Sequence, residues 1–129
     1  MRQFCSVVGA TMLVGLAACQ TAKQQSADTN AVNLSQAEVM AHISGNTEVW
    51  TKGGGYYAPN GDLNVLWKGQ ESTGTWDVSD DGEVCYVVEI WGTDKECHQY
   101  VNEGGVTKLL FEGKSRIAEI KPGNQLGSL

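Results

Sequence analysis

The stretch Gly74 to Tyr100, GTWDVSDDGEVCYVVEIWGTDKECHQY, reads as two successive β-hairpins with a cysteine on each arm of the second. Trp76 leads into an Asp80-Asp81-Gly82 turn, the apolar run Val84 to Trp91 follows, and Gly92-Thr93-Asp94 turns the chain back through Cys97. If Cys85 and Cys97 bond as facing neighbours, register and faces are set together, because successive strand residues point to opposite sides. Val84, Tyr86, Val88 and Ile90 then share the core side with His98 and Tyr100, while Cys85, Val87, Glu89 and Trp91 share the other. His98 is thereby expected as a half-buried wall residue, or as a polar group lining a cavity.

From Asn46 onward an aromatic residue recurs, followed by a Gly turn and then an apolar residue. Copies begin at Tyr57, Trp76, Tyr100 and Phe111. Asn60-Gly61 and Asp81-Gly82 are favoured hairpin pairs, since both central positions of a type I′ turn need positive φ. The 16 glycines and only 2 prolines fit many short strands. The pattern predicts a mainly β domain: an antiparallel meander of about eight short strands near 47–51, 55–58, 63–68, 73–78, 83–90, 96–101, 106–111 and 115–120. A sheet of that size avoids open edges by curling, so a barrel-like form is expected. Gly53-Gly54-Gly55 reads as a bend or bulge.

One short N-terminal helix is predicted. Ser35-Gln36-Ala37-Glu38 is a capping box, Val39, His42 and Ile43 share a face, Leu34 staples the start, and Gly45 is a natural stop. Two turns do not persist alone, so this helix must pack on the sheet. His42 reads as a packing residue.

Before the domain lies a targeting segment. Arg2 precedes the apolar stretch Phe4 to Ala18, which is too short for the roughly 20 residues of a bilayer span. Leu16-Ala17-Ala18-Cys19 resembles the lipobox of bacterial lipoproteins. The resemblance implies cleavage after residue 18, lipidation of Cys19 and a lipid anchor in the membrane; Gln20 rather than Asp after the cysteine implies the outer membrane, facing the periplasm. The expected organisation is signal peptide 1–18, flexible tether 19–33, β-rich domain 34–122 and C-terminal tail 123–129. Residues 20–33 lack aromatics and would reach roughly 20 Å as a coil. With Cys5 removed and Cys19 lipidated, Cys85 and Cys97 remain as an even pair in an oxidising compartment, which predicts a disulfide.

Chemistry is mostly excluded. A net charge of −6 with singly scattered Lys and Arg argues against nucleic acid. Zinc would need more ligands than Cys85, Cys97 and His98. Asp77 to Gly82 resembles half of a Ca²⁺ loop, but Val88 stands where the bidentate Glu belongs. No catalytic residue, metal or cofactor is predicted. The expected function is a non-enzymatic envelope module that binds an envelope protein or glycan, with Trp50, Tyr56, Tyr57 and His98 as candidate ligand-binding residues. Lys52 to Gly55 would let the first three rings be presented together, although adjacent tyrosines point to opposite faces, so one of the pair must be core. A small periplasmic hydrolase using turn carboxylates, such as Asp62 with Asp81, or His98 is the alternative.

The ordered series Leu34-Ser35, Glu38-Val39, Gly45-Asn46-Thr47, Tyr56 to Gly61, Gly74-x-Trp76, Gly82-x-Val84-Cys85 and Cys97-x-x-Tyr100 resembles a proteobacterial envelope family known only as a domain of unknown function (DUF995-like). The likeness covers about residues 34–112 and implies a location and a fold, not an activity. Gly74-Thr75-Trp76 also resembles the G-x-W of calycin barrels such as lipocalins and avidins, where it opens the first strand.

Overall fold

The computed structural model describes residues 31–129. The expected signal peptide, Cys19 and most of the tether lie outside the described residues. The order is β1 (Val32–Asn33), α1 (Gln36–Ile43), β2 (Asn46–Trp50), β3 (Gly53–Tyr57), β4 (Asp62–Trp67), β5 (Gln70–Val78), β6 (Glu83–Val88), a 3₁₀ turn (Glu89–Trp91), β7 (Glu96–Glu103), β8 (Val106–Phe111), β9 (Lys114–Ile117), β10 (Glu119–Pro122) and a last 3₁₀ turn (Leu126–Ser128). The described chain is thus mainly antiparallel β with one helix. It has ten strands rather than about eight.

Strands β2 to β9 form a continuous meander, and β10 returns to pair with β2. Only Ala118 separates β9, which pairs with β8, from β10, whose register sets Pro122 opposite Asn46. The single strand expected near 115–120 is therefore two, one on each edge of the sheet, and together they nearly close it into a barrel. Two further expectations are corrected here. Val32 and Asn33 belong to a strand paired with Asn102 and Val101, so the tether ends earlier than residue 33. Residues 123–129 fold back on the outside: Thr47 Oγ1 donates to Gly123 O at 2.6 Å and accepts from Gln125 N at 2.9 Å, so Thr47 is buried.

Type I′ geometry does not fall at Asn60-Gly61 or Asp81-Gly82, where only the glycine has positive φ. It falls at Lys68-Gly69, Gly104-Gly105 and Glu112-Gly113, where both residues do and two residues separate the strands. The loops after β3 and β5 hold four residues each, and four residues relieve the first of the pair from the left-handed region. Gly53 to Gly55 are not a bend but part of β3, paired on both sides with β2 and β4. An added Cβ at Gly55 would meet the Trp50 indole at 2.8 Å, so the missing side chain is the space in which that ring lies.

Helix α1 closes one end of the barrel. Ser35 Oγ accepts from Glu38 N at 3.2 Å and donates to Glu38 Oε2 at 2.9 Å, a variant of the expected box. Leu34, Val39 and Ile43 enter the core with Tyr57, Leu63, Trp76, Val84 and Tyr100. His42 packs edge-on to Tyr100, ring centroids 5.3 Å apart, as a packing residue. Trp76 stands at right angles to Tyr57 and donates its indole N–H to Ala58 O at 2.8 Å. Its motif partner Gly74 lacks a side chain because a Cβ would run into the Val87 backbone.

Candidate functional site

The strands that start at the helix end finish at the other, and each delivers a ring there. Trp50 is the last residue of β2, Trp67 of β4 and Phe111 of β8, while Trp91 ends the 3₁₀ turn after β6. These rings, with Tyr57, Tyr86, His98, Val84 and Leu109, line a cavity of about 380 Å³ at the barrel mouth; Glu48, Thr51, Glu96 and Arg116 supply its other polar groups. The volume falls within the range of small-molecule sites. Trp91 was expected outside, beside Cys85. The strand instead stops at Val88, and the 3₁₀ turn breaks the alternation and swings the indole inward.

The three indoles form a triangle, with centroid distances of 6.2 Å for Trp50 and Trp67, 5.8 Å for Trp50 and Trp91, and 5.8 Å for Trp67 and Trp91. Tyr86 joins Trp91 at 6.1 Å. All three indoles are only half-buried. The Lys68 ammonium lies 5.8 Å from the Trp67 ring centre, and the Arg116 guanidinium 5.4 Å from that of Phe111.

Glu48 lies deepest among the polar groups. It alternates with Trp50 on the inner face of β2 and is 3% exposed. The Tyr57 hydroxyl donates to Oε1 at 3.1 Å. Burial pushes the carboxyl above the usual carboxylate range; Trp50, Tyr100, Tyr57 and Arg116 pull the other way without reversing it. Burial, and then the Glu48 charge, hold the Tyr57 and Tyr100 hydroxyls protonated. The Tyr100 hydroxyl is buried and, among the described residues, meets no partner at hydrogen-bond geometry.

His98 lines the cavity as expected, half-buried, sharing a 2.9 Å hydrogen bond between Nε2 and the Tyr86 hydroxyl. Its ring packs on Phe111 at 4.8 Å, and Glu96 Oε1 lies 3.8 Å away. Burial lowers its pKa, against an opposing pull from Glu96. The other sequence candidates separate. Tyr57 is 1% exposed and only its hydroxyl serves the cavity; Tyr56 turns to the outer face, so the two tyrosines and Trp50 do not make one exposed surface.

The disulfide is present: Cys85 faces Cys97 in register, with Cα atoms 4.0 Å apart. Among the described residues, the one cluster of metal-ligating groups is Glu83 with these cysteines, whose sulfurs are spent on each other. Asp77 sits in β5 opposite Cys85, 3.8 Å from the Lys95 ammonium, which leaves only Ser79–Gly82 as a turn and no Ca²⁺-type loop. Neither Asp62 nor Asp81 lines the cavity.

A family model described as a protein of unknown function, DUF995, matches residues 10–109. The chain belongs to that family. No curated protein and no solved structure matches it significantly. Within this DUF995 chain the match takes in every strand from β1 to β7 and most of β8, hence Glu48, the three indoles, Tyr86 and His98. Phe111 and Arg116 lie beyond it.

Sequence reasoning passed over Glu48, Trp67, Trp91 and Arg116 as site residues. A signal was there: Trp50, Trp67, Trp91 and Phe111 each stand one to three residues before a glycine, so each ends a strand at the same side of a meander. Glu48 two residues before Trp50 on an alternating strand shares its face.

Proposed function

We propose that this chain is a non-enzymatic binding module of the bacterial cell envelope, tethered through a lipidated Cys19, whose ligand enters the mouth of the barrel. The observation that carries the binding role is the cavity: half-exposed aromatic rings around a deep carboxyl, in a barrel whose other end is plugged by α1. Apolar surface left open this way is the usual mark of a ligand site. The envelope location rests on the Leu16-to-Cys19 tetrapeptide. The mouth fits a small molecule or one terminal unit of a glycan better than a flat protein partner, because its rings line a hollow.

The hydrolase reading has less support. His98 spends Nε2 on Tyr86, and the turn carboxylates stand away from the cavity. The test is native mass spectrometry on the full chain isolated from membranes. A retained small ligand, lost on Trp91→Ala but not on Asp81→Asn, is expected. Wild-type protein that carries none, and whose tryptophan fluorescence is unmoved by envelope extracts, would sink the binding role. Metabolic labelling with a fatty-acid probe, abolished by Cys19→Ser, tests the anchor separately.

A further inference from the structure

Glu48 poses a chemical question that the fold alone does not answer. Accepting a hydrogen bond from Tyr57 is a job Gln would do without any ionisation cost. A carboxyl 3% exposed instead faces a cavity, and among the described residues no Lys, Arg or His pairs with it within 4.0 Å. Its neighbours are rings and hydroxyls, with the Arg116 guanidinium the weakest of the groups that favour its charge. Buried charges are paired or expensive, and among the described residues no cation is in direct contact with this one.

Around it stand three indoles and a phenol, the rings with the strongest attraction for a cation over their faces. Two rings of this cavity already have one of the chain's own cations at their faces, Lys68 at Trp67 and Arg116 at Phe111. Among the described residues, no cation lies so at Trp50, Trp91 or Tyr86. The rim is close to balanced, since Arg116 and Glu96 both line it; the unbalanced group is the one at depth.

We infer that the cavity takes an organic cation, a small ligand whose substituted or quaternary ammonium enters between Trp50, Trp91 and Tyr86 toward Glu48. This rests on the proposal that the cavity is the ligand site. Rings supply the faces that a methylated ammonium prefers to water, and Glu48 supplies the charge. A quaternary group offers no hydrogen-bond donor, so an aromatic box suits it better than a ring of carbonyls would. An anion would have to desolvate against Glu48, and a neutral ligand would give the carboxylate no partner.

The experiment compares three isosteres on the full chain by tryptophan fluorescence and calorimetry: choline, the neutral 3,3-dimethylbutan-1-ol, and the anion 3,3-dimethylbutanoate. Choline should bind about tenfold more tightly than the alcohol, and the anion weakest. Glu48→Gln, which keeps the acceptor for Tyr57, should reduce the preference for choline over the alcohol to near unity. Asp81→Asn, outside the cavity, should leave the preference intact. Equal or tighter binding of the alcohol or the anion overturns the cation assignment and leaves the cavity as a ligand site. Absence of any choline response overturns it too; the binding role itself is then judged by ligand retention in native mass spectrometry. If Glu48→Gln fails to fold, the wild-type ranking of the three probes decides alone.

Discussion

At the helix end of the barrel the large side chains are sunk into one packed mass: Ile43 and Tyr100 at 0% exposure, Tyr57 at 1%, Trp76 at 6% with its indole N–H bonded. At the mouth Trp50, Trp67 and Trp91 pack on one another and on the edge of the core, and remain half-buried. The same residue types do opposite things at the two ends. Rings that are fully covered by the chain contribute their burial to folding. Rings left partly uncovered hold back apolar area that the packing of the barrel itself does not use.

That contrast is breakable. Trp76→Ala should cost about 3–5 kcal/mol in urea unfolding, because it opens a hole beneath α1 and removes one of the two donors to Ala58 O. Trp67→Ala at the mouth should cost only about 1–2 kcal/mol, the loss of partial burial and ring contacts. Equal costs would mean that the mouth is as structural as the plug. Reducing Cys85–Cys97 should remove about 3 kcal/mol, the loop-closure value for a 12-residue separation. Since that bond pins the root of the segment carrying Trp91, the fluorescence of the mouth should change at reductant levels that leave far-ultraviolet dichroism intact.

Smaller changes sharpen the comparison. Ser35→Ala removes the cap of α1 and should lower stability by about 1 kcal/mol without altering any ligand response at the mouth. The smallest effect is a pH dependence. The native Glu48 pKa lies above its unfolded value, so between the two the folded chain binds more protons, and stability falls as pH rises from the ordinary carboxylate range. His42 and His98 are lowered by burial, so they withdraw stability as pH falls below the ordinary histidine range. Glu48→Gln should flatten only the first of these slopes. Urea midpoints taken from acid to neutral pH would read both, and an unchanged slope in the variant would place the Glu48 proton elsewhere.

Alternation and cysteine pairing made one wall of the barrel legible in the sequence. The placement of Val84, Tyr86, His98 and Tyr100 on one side holds because Cys85 does face Cys97. The capping box found the helix because its signal is local. Gly53 to Gly55 were misread since three glycines carry no strand propensity; pairing on both sides imposes the strand from outside. Trp91 was placed on the wrong face because the alternation breaks at Val88, where no glycine or proline marks the end. Glu48 stayed hidden because a lone acid in a short strand normally faces water, and only closure of the barrel turns that face inward.

The seam at Ala118 has a consequence in time. Asn46 meets Pro122 across a sequence separation of 76 residues, the longest-range strand pairing in the described sheet. Until residues 119–122 are available, β2 has an open edge and the wall that carries Glu48 and Trp50 has no neighbour on that side. Every earlier pairing from β2 to β9 is a hairpin contact that forms locally. Ring closure is therefore the step with the largest loop-entropy cost. A chain stalled before it would hold nearly all its native hydrogen bonds and yet have no closed cavity. Recovery of the mouth's tryptophan signal during refolding should lag recovery of the sheet.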